Sequence, residues 1–120
     1  MNRRFGLEES TIQKICTVLS HYPQVERAIL YGSRAKGNYR LGSDIDLTLI
    51  GRDDLTLNVL YRIMDELDDL LLPYMIDLSI LNAIEDEELV GHIRRAGVKF
   101  YERVDWRNST TCEHKKMSLA

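Results

Sequence analysis

The stretch VERAILYGSRAKGNYRLGSDIDLTLI, residues 25–50, decides the fold. It holds two short β-rich segments, Val25 to Tyr31 and Asp44 to Ile50, around a glycine-rich polar link, Gly32 to Ser43. The first segment stops at Gly32; the second alternates and stops at Gly51, so both read as strands. Successive side chains of a strand point to opposite faces, so Asp44 and Asp46 share one face. Ile45, Leu47 and Leu49 share the other, which is the core face. The link is too short for a crossover, which favours antiparallel pairing, and Ser33 is placed to open a short helix within it.

Working outward, Glu8 to Tyr22 reads as a helix: Ile12, Ile15, Cys16 and Leu19 follow a helical stripe. Ser10 and Gln13 offer a capping box, and Pro23 ends the element. On the other side, Asp54 to Leu72 reads as a long helix with Leu57, Leu60, Tyr61, Met64, Leu67, Leu70 and Leu71 as its buried stripe. Met75 to Leu81 is a third strand, Glu85 to Ala96 a helix stopped by Gly97, and Val98 to Tyr101 a short extended segment. The long helix between the second and third strands makes those strands parallel, with a right-handed connection. The expected architecture is α/β (α+β): a small mixed sheet of three to four strands with helices packed on one face. Residues 1–105 form the domain, and 106–120 a polar tail expected to be flexible.

The length of 120 residues allows one domain and one core. The balance of 16 Lys+Arg against 19 Asp+Glu, net charge -3, argues against a stand-alone nucleic-acid binder. No apolar run is long enough to span a bilayer, and MNRRFGLEES lacks the apolar core of a secretory signal, so a cytoplasmic protein is expected. Cys16 reads as a small core residue and Cys112 as a free thiol in the tail. His21, His92 and His114 have no partner at metal-ligand spacing.

The third strand repeats the logic of the second. Ile76, Leu78 and Ile80 face the core, while Asp77 and Ser79 face the other way. In a parallel pair, Asp44, Asp46 and Asp77 converge on one polar face. Three convergent carboxylates repel one another and are seldom kept without a cation. Mg²⁺ accepts one or two carboxylates together with phosphate oxygens, and two such ions can clamp an in-line phosphoryl displacement. Gly32-Ser33 ends the first strand beside this cluster, where a glycine turn and a helix start suit a phosphate. Arg34, Lys36 and Arg40 form an adjoining basic patch, with Arg34 and Lys36 as candidates to steer a triphosphate. Asp65, Glu66, Asp68 and Asp69 read as the wet face of the long helix. Tyr39, Tyr101 and Trp106 are candidates for partner contact.

GSRAKG followed by SDIDL, with a later lone aspartate on a strand, resembles the nucleotidyltransferase superfamily that includes DNA polymerase β and kanamycin nucleotidyltransferase. The resemblance runs from about Glu8 to Tyr101 and is nearest to the short, single-domain minimal nucleotidyltransferases. It implies that Gly32 and Ser33 hold the triphosphate of ATP, and that Asp44 and Asp46 ligate two Mg²⁺ ions. It also implies that Asp77 binds the catalytic ion and helps activate the acceptor hydroxyl. Larger relatives carry a second domain for the acceptor, for which this chain has no room. Minimal members are similar to the antitoxin halves of two-gene pairs whose partner is a helical HEPN ribonuclease, and transfer AMP to a tyrosine of that toxin. The alternatives are a non-catalytic antitoxin that neutralises its partner by occlusion, and a nucleotidyltransferase acting on a small molecule or an RNA end.

Overall fold

The computed structural model describes residues 3–104. The chain opens with a hairpin, β1 (Arg3–Arg4) and β2 (Leu7–Glu8), and runs directly into α1 (Glu9–Ser20). β3 (Val25–Tyr31), α2 (Ser33–Lys36) and β4 (Ile45–Gly51) follow, then α3 (Leu57–Asp68) and β5 (Ile76–Ile80). A 3₁₀ turn at Leu81–Ala83 leads to α4 (Glu87–Ala96) and β6 (Val98–Glu102). The main sheet has the order β5-β4-β3-β6. β4 is antiparallel to β3 and parallel to β5, as the link lengths predict, and β6 pairs antiparallel with the far side of β3.

The core face is built by the two periodicities meeting. Ile45, Leu47 and Leu49 of β4 are fully buried beside Ala28, Leu30 and Leu78 of its neighbours. Ile12, Ile15 and Leu19 of α1 and Leu60, Ile63 and Leu67 of α3 cover them, forming the expected helical layer on a mixed sheet. Cys16 packs beside this core; burial pushes its thiol up to about 11, and Sγ donates to the carbonyl of Phe100 at 3.6 Å.

Several local expectations need correction. Ser10 lies inside α1, the helix is preceded by Glu8 with no side-chain cap, and so no capping box forms. The helix start is set instead by the hairpin, whose Leu7 is fully buried and whose Phe5 ring packs 6.1 Å from that of Phe100. Phe5 and Gly6 both take positive φ, 58° and 75°, the backbone twist that a two-residue hairpin turn requires. α3 is shorter than its apolar run: Thr56 caps it, with Oγ1 accepting from the Val59 amide at 3.4 Å, and it ends at Asp68. Its buried stripe is Leu60, Ile63 and Leu67, while Leu57, Tyr61 and Leu71 are 54%, 56% and 87% exposed. Seven apolar positions make a band wider than one helix can turn toward α1 and the sheet, so Leu57 and Tyr61 stay on the rim.

α4 starts at a cap, with Asp86 Oδ1 accepting from the amides of Glu88 and Leu89 at 3.0 and 3.3 Å. Gly97 ends it for lack of space: its φ is an ordinary -71°, but a Cβ would meet Ile29 Cγ2 and the Ile93 carbonyl oxygen, each at 2.5 Å. The end of α4 is thereby held close to Ile29, a residue that points away from the main core. Among the described residues no helix is long and apolar enough to cross a membrane. The expected tail, with Trp106, Cys112 and His114, lies outside the described residues.

Candidate active site

Strand register assembles the site. Tyr31 pairs with Asp46 across β3 and β4, and Asp46 pairs with Asp77 across β4 and β5. Neighbouring strands lie roughly 4.8 Å apart, so Tyr31, Asp46 and Asp77 form one row across three strands. The row behind it is Ile29, Thr48 and Ser79, in the same register. There Ser79 Oγ donates to Thr48 Oγ1 at 2.9 Å, which satisfies a hydroxyl that is otherwise completely buried. Asp44 sits one residue before β4 and is exposed.

The Asp46 carboxyl senses both of the other aspartates. Burial raises the Asp46 carboxyl above its ordinary value, and the charges of Asp77 and then Asp44 raise it further. The Tyr31 phenol is likewise raised, first by burial; a hydrogen bond with Ser79 opposes this, and the charges of Asp77 and Asp46 add to it. Tyr31, Thr48 and Ser79 thus belong to the same polar face. The period-two alternation that singles out Asp46 already places all three there, but hydroxyls carry a weaker sequence signal than carboxylates.

Gly32 is the hinge between β3 and α2. Its φ of 80° is open mainly to glycine, and a Cβ on it would collide with Asp46 Oδ2. Both constraints demand glycine at the point where the backbone passes over the carboxylate row. Ser33 opens α2, whose single turn closes with the Lys36 and Gly37 amides donating to the carbonyls of Gly32 and Ser33 at 3.1 and 2.9 Å. Gly32, Ser33, Asp44, Asp46 and Asp77 are therefore brought together.

Arg34 is not presented to this site. It is 3% exposed, with Nε and Nη2 donating to the Ser43 carbonyl at 3.1 and 2.9 Å and Nη1 to the Phe5 carbonyl at 2.9 Å. Its guanidinium also lies against the rings of Tyr39, at 5.2 Å, and Tyr74, at 4.9 Å. The expected triphosphate-steering residue is instead an internal clamp. Five donors in a fixed fork suit it to hold two carbonyls at once. By holding Ser43 it fixes the residue just before Asp44. Lys36 and Arg40 remain exposed. The Tyr39 ring lies against Arg34 yet stays 38% exposed, while Tyr101 is half-buried against the core.

The donor set suits a hard divalent ion that shares its ligands. Among the described residues no three His, Cys, Asp or Glu side chains are grouped so as to hold a metal ion. Mg²⁺ does not need such a group: it binds through one or two carboxylates and completes its shell with water and phosphate oxygens. Asp44, Asp46 and Asp77 offer oxygen donors only, and the Asp46 carboxyl is raised first by burial and then by the charges of its two neighbours.

The comparisons with known proteins agree with this fold. The family described as polymerase beta nucleotidyltransferase matches residues 13–105. No curated protein is significantly similar in sequence. Among solved structures, a chain of a toxin–antitoxin with AMP-PNP superposes with a TM-score of 0.62 at 21% identity, covering 94% of this chain and 86% of that one. A chain of the toxin–antitoxin MntA-HepT gives 0.60 at 18% identity, covering 93% and 86%. A chain of the tri-AMPylated Shewanella oneidensis HEPN toxin in complex with MNT antitoxin gives 0.59 at 18%, covering 92% and 84%.

Proposed function

This chain belongs to the polymerase β nucleotidyltransferase family, and on that footing we propose that it moves AMP from ATP, with Mg²⁺, to a hydroxyl of a helical HEPN-type partner, and so acts as its antitoxin. The acceptor in this reading is a tyrosine. The observation that carries it is the row Asp46–Asp77 under the Gly32 turn, with the Asp46 carboxyl raised first by burial and then by the charges of Asp77 and Asp44. The tri-AMPylated toxin seen with a chain of the same fold supports the partner class.

In this reading the turn at Gly32 and Ser33 receives the phosphates, with the Ser33 hydroxyl as donor. Asp44, Asp46 and Asp77 are the residues to hold Mg²⁺, which supplies charge neutralisation and polarises the phosphate. The acceptor oxygen attacks the α-phosphorus as the bond to the bridging oxygen breaks. Pyrophosphate leaves with that electron pair, and the hydroxyl proton passes to Asp77 or through it to water. Most of the catalysis is positioning and charge stabilisation, as phosphoryl transfer generally requires. The catalytic domain is residues 1–105.

The test is mass spectrometry of a HEPN partner incubated with this chain, ATP and Mg²⁺. One or more added AMP groups are expected, on tyrosine, and none when the metal is chelated. A partner that is neutralised yet unmodified replaces this reading with occlusion. Modification of an RNA end or a small alcohol by the isolated chain replaces it with another acceptor class.

A further inference from the structure

The sheet face that carries the carboxylates continues past them into a cleft beneath α4. The cleft holds about 380 Å³, with Ile29 and Ile50 of the sheet, Leu81 of the 3₁₀ turn and Ile93 of α4 as its apolar surface. Arg27, Arg94 and Asn82 stand around it. Among the described residues no carboxylate lines it, although the chain as a whole is acidic. Both arginines are exposed, and among the described residues neither takes part in an ion pair. The contrast with Arg34, whose every arm is occupied, is direct.

The place of the cleft is set by strand arithmetic. Ile29 is two residues from Tyr31, and Ile50 is four from Asp46, on the same face. At roughly 3.4 Å per residue, the cleft begins about 7 Å from the carboxylate row and ends about 14 Å from it. An extended chain lying along this face would span that distance with two to four residues.

The geometry points to a subsite for the acceptor: the cleft takes an acidic, apolar segment of the protein that bears the modified hydroxyl. This rests on the transferase reading above and adds to it which part of the chain recognises the acceptor. An aliphatic side chain of the segment fills the space between Ile29, Ile50 and Ile93. A carboxylate of the segment pairs with Arg27 and Arg94, and Asn82 is available to a backbone amide or carbonyl. The hydroxyl two to four residues away then lies over Asp46 and Asp77. Guanidinium–carboxylate pairs are the stronger, charge-assisted kind of hydrogen bond, and the carboxylate therefore sets the specificity.

The probes are capped heptapeptides with one tyrosine, a leucine two residues from it, and glutamate or lysine three residues from it, made in both chain directions. Their affinities for the full chain are read by fluorescence anisotropy, with Mg²⁺ and a non-hydrolysable ATP analogue present. The glutamate peptide of one direction should bind about tenfold or more tightly than its lysine counterpart, with the preference shrinking at high salt. Arg27→Glu and Arg94→Glu should each abolish the preference while leaving affinity for the ATP analogue and the melting temperature unchanged. Equal affinities, no binding of any peptide, or a preference that survives both variants overturns the proposal. Loss of ATP-analogue binding in the variants assigns the cleft to the nucleotide and also overturns it. So does a single-stranded RNA that outcompetes the glutamate peptide. The two readings fail separately: a preference without any AMP transfer removes the transferase reading, and AMP transfer to the partner without a preference removes the subsite.

Discussion

The two faces of β4 differ by one residue of register and by everything they do. Ile45, Leu47 and Leu49 are sealed under α1 and α3, and each contributes about 1.5–3 kcal/mol of burial. Asp46, between them in sequence, is half-buried on the opposite face, its carboxyl raised by burial and by Asp77 and Asp44. One face therefore stabilises the fold, and the other costs stability in order to hold charge. A domain this small can carry such a face because the closed one is fully apolar. The difference teaches which substitutions should separate folding from activity.

The sharpest test is a pair of neighbours. Asp46→Asn should lower transfer by about a thousandfold or more, since a metal site supplies several kcal/mol of transition-state stabilisation. The same change removes a repelled carboxylate, so the melting temperature should hold or rise. Leu47→Ala, one residue on, should do the reverse: a loss of about 2–5 kcal/mol of stability, with activity per folded molecule retained. Thermal melts and transfer assays on both proteins read the contrast. An Asp46→Asn protein that melts lower and transfers normally would break it.

A second pair lies on α2, where Arg34 is buried and Lys36 is exposed. Arg34→Ala should cost about 2–4 kcal/mol, from orphaned carbonyls at Phe5 and Ser43 and lost contact with two aromatic rings. Arg34→Lys should recover little, because an ammonium cannot hold the two carbonyls in one fork. Lys36→Ala should change stability by less than about 0.5 kcal/mol and weaken only nucleotide binding. Denaturant melts and nucleotide titrations distinguish the two residues. A stable Arg34→Lys protein that cannot bind nucleotide would restore Arg34 to the phosphate site.

The sequence made the topology and the carboxylate row legible because both follow from period-two alternation and link length, which are local. Gly32, Asp46 and Asp77 meet as the alternation and the register require, with Ser33 following Gly32 and Asp44 one residue before β4. The burial of Arg34 is not legible because its partners are carbonyls of residues 5 and 43, and nothing in the composition of a turn says where backbone acceptors will lie. The β1–β2 hairpin was missed because two-residue strands leave no periodicity and Phe5 is an unusual residue at a positive φ. The cleft depends on α4 approaching Ile29 over Gly97, a contact between residues far apart in the chain. Non-local packing accounts for Arg34 and the cleft, and the hairpin is too short to leave a pattern.

A small effect belongs to the edge of the closed face, where charge is used for stability. Tyr22 Oη donates to Glu66 Oε1 at 2.8 Å, and His21 Nδ1 lies 2.6 Å from Glu66 Oε2, joining the end of α1 to α3. The Tyr22 hydrogen bond, followed by that of His21, holds the Glu66 carboxyl below its ordinary value, against a smaller opposing effect of burial. Folding thus favours the ionised form. The stabilisation is fully present above the unfolded-state value of about 4.3 and is lost as pH falls through the lower folded-state value. Glu66→Gln removes this titration. The variant should melt below the wild type at neutral pH, and the gap should close as both are acidified below the ordinary carboxylate range. Exposed pairs contribute little, so the gap should be far smaller than those of Leu47→Ala and Arg34→Ala. A gap that persists unchanged into acid would show that the link acts through packing of the side chain and that the ionised carboxylate is not what stabilises the edge.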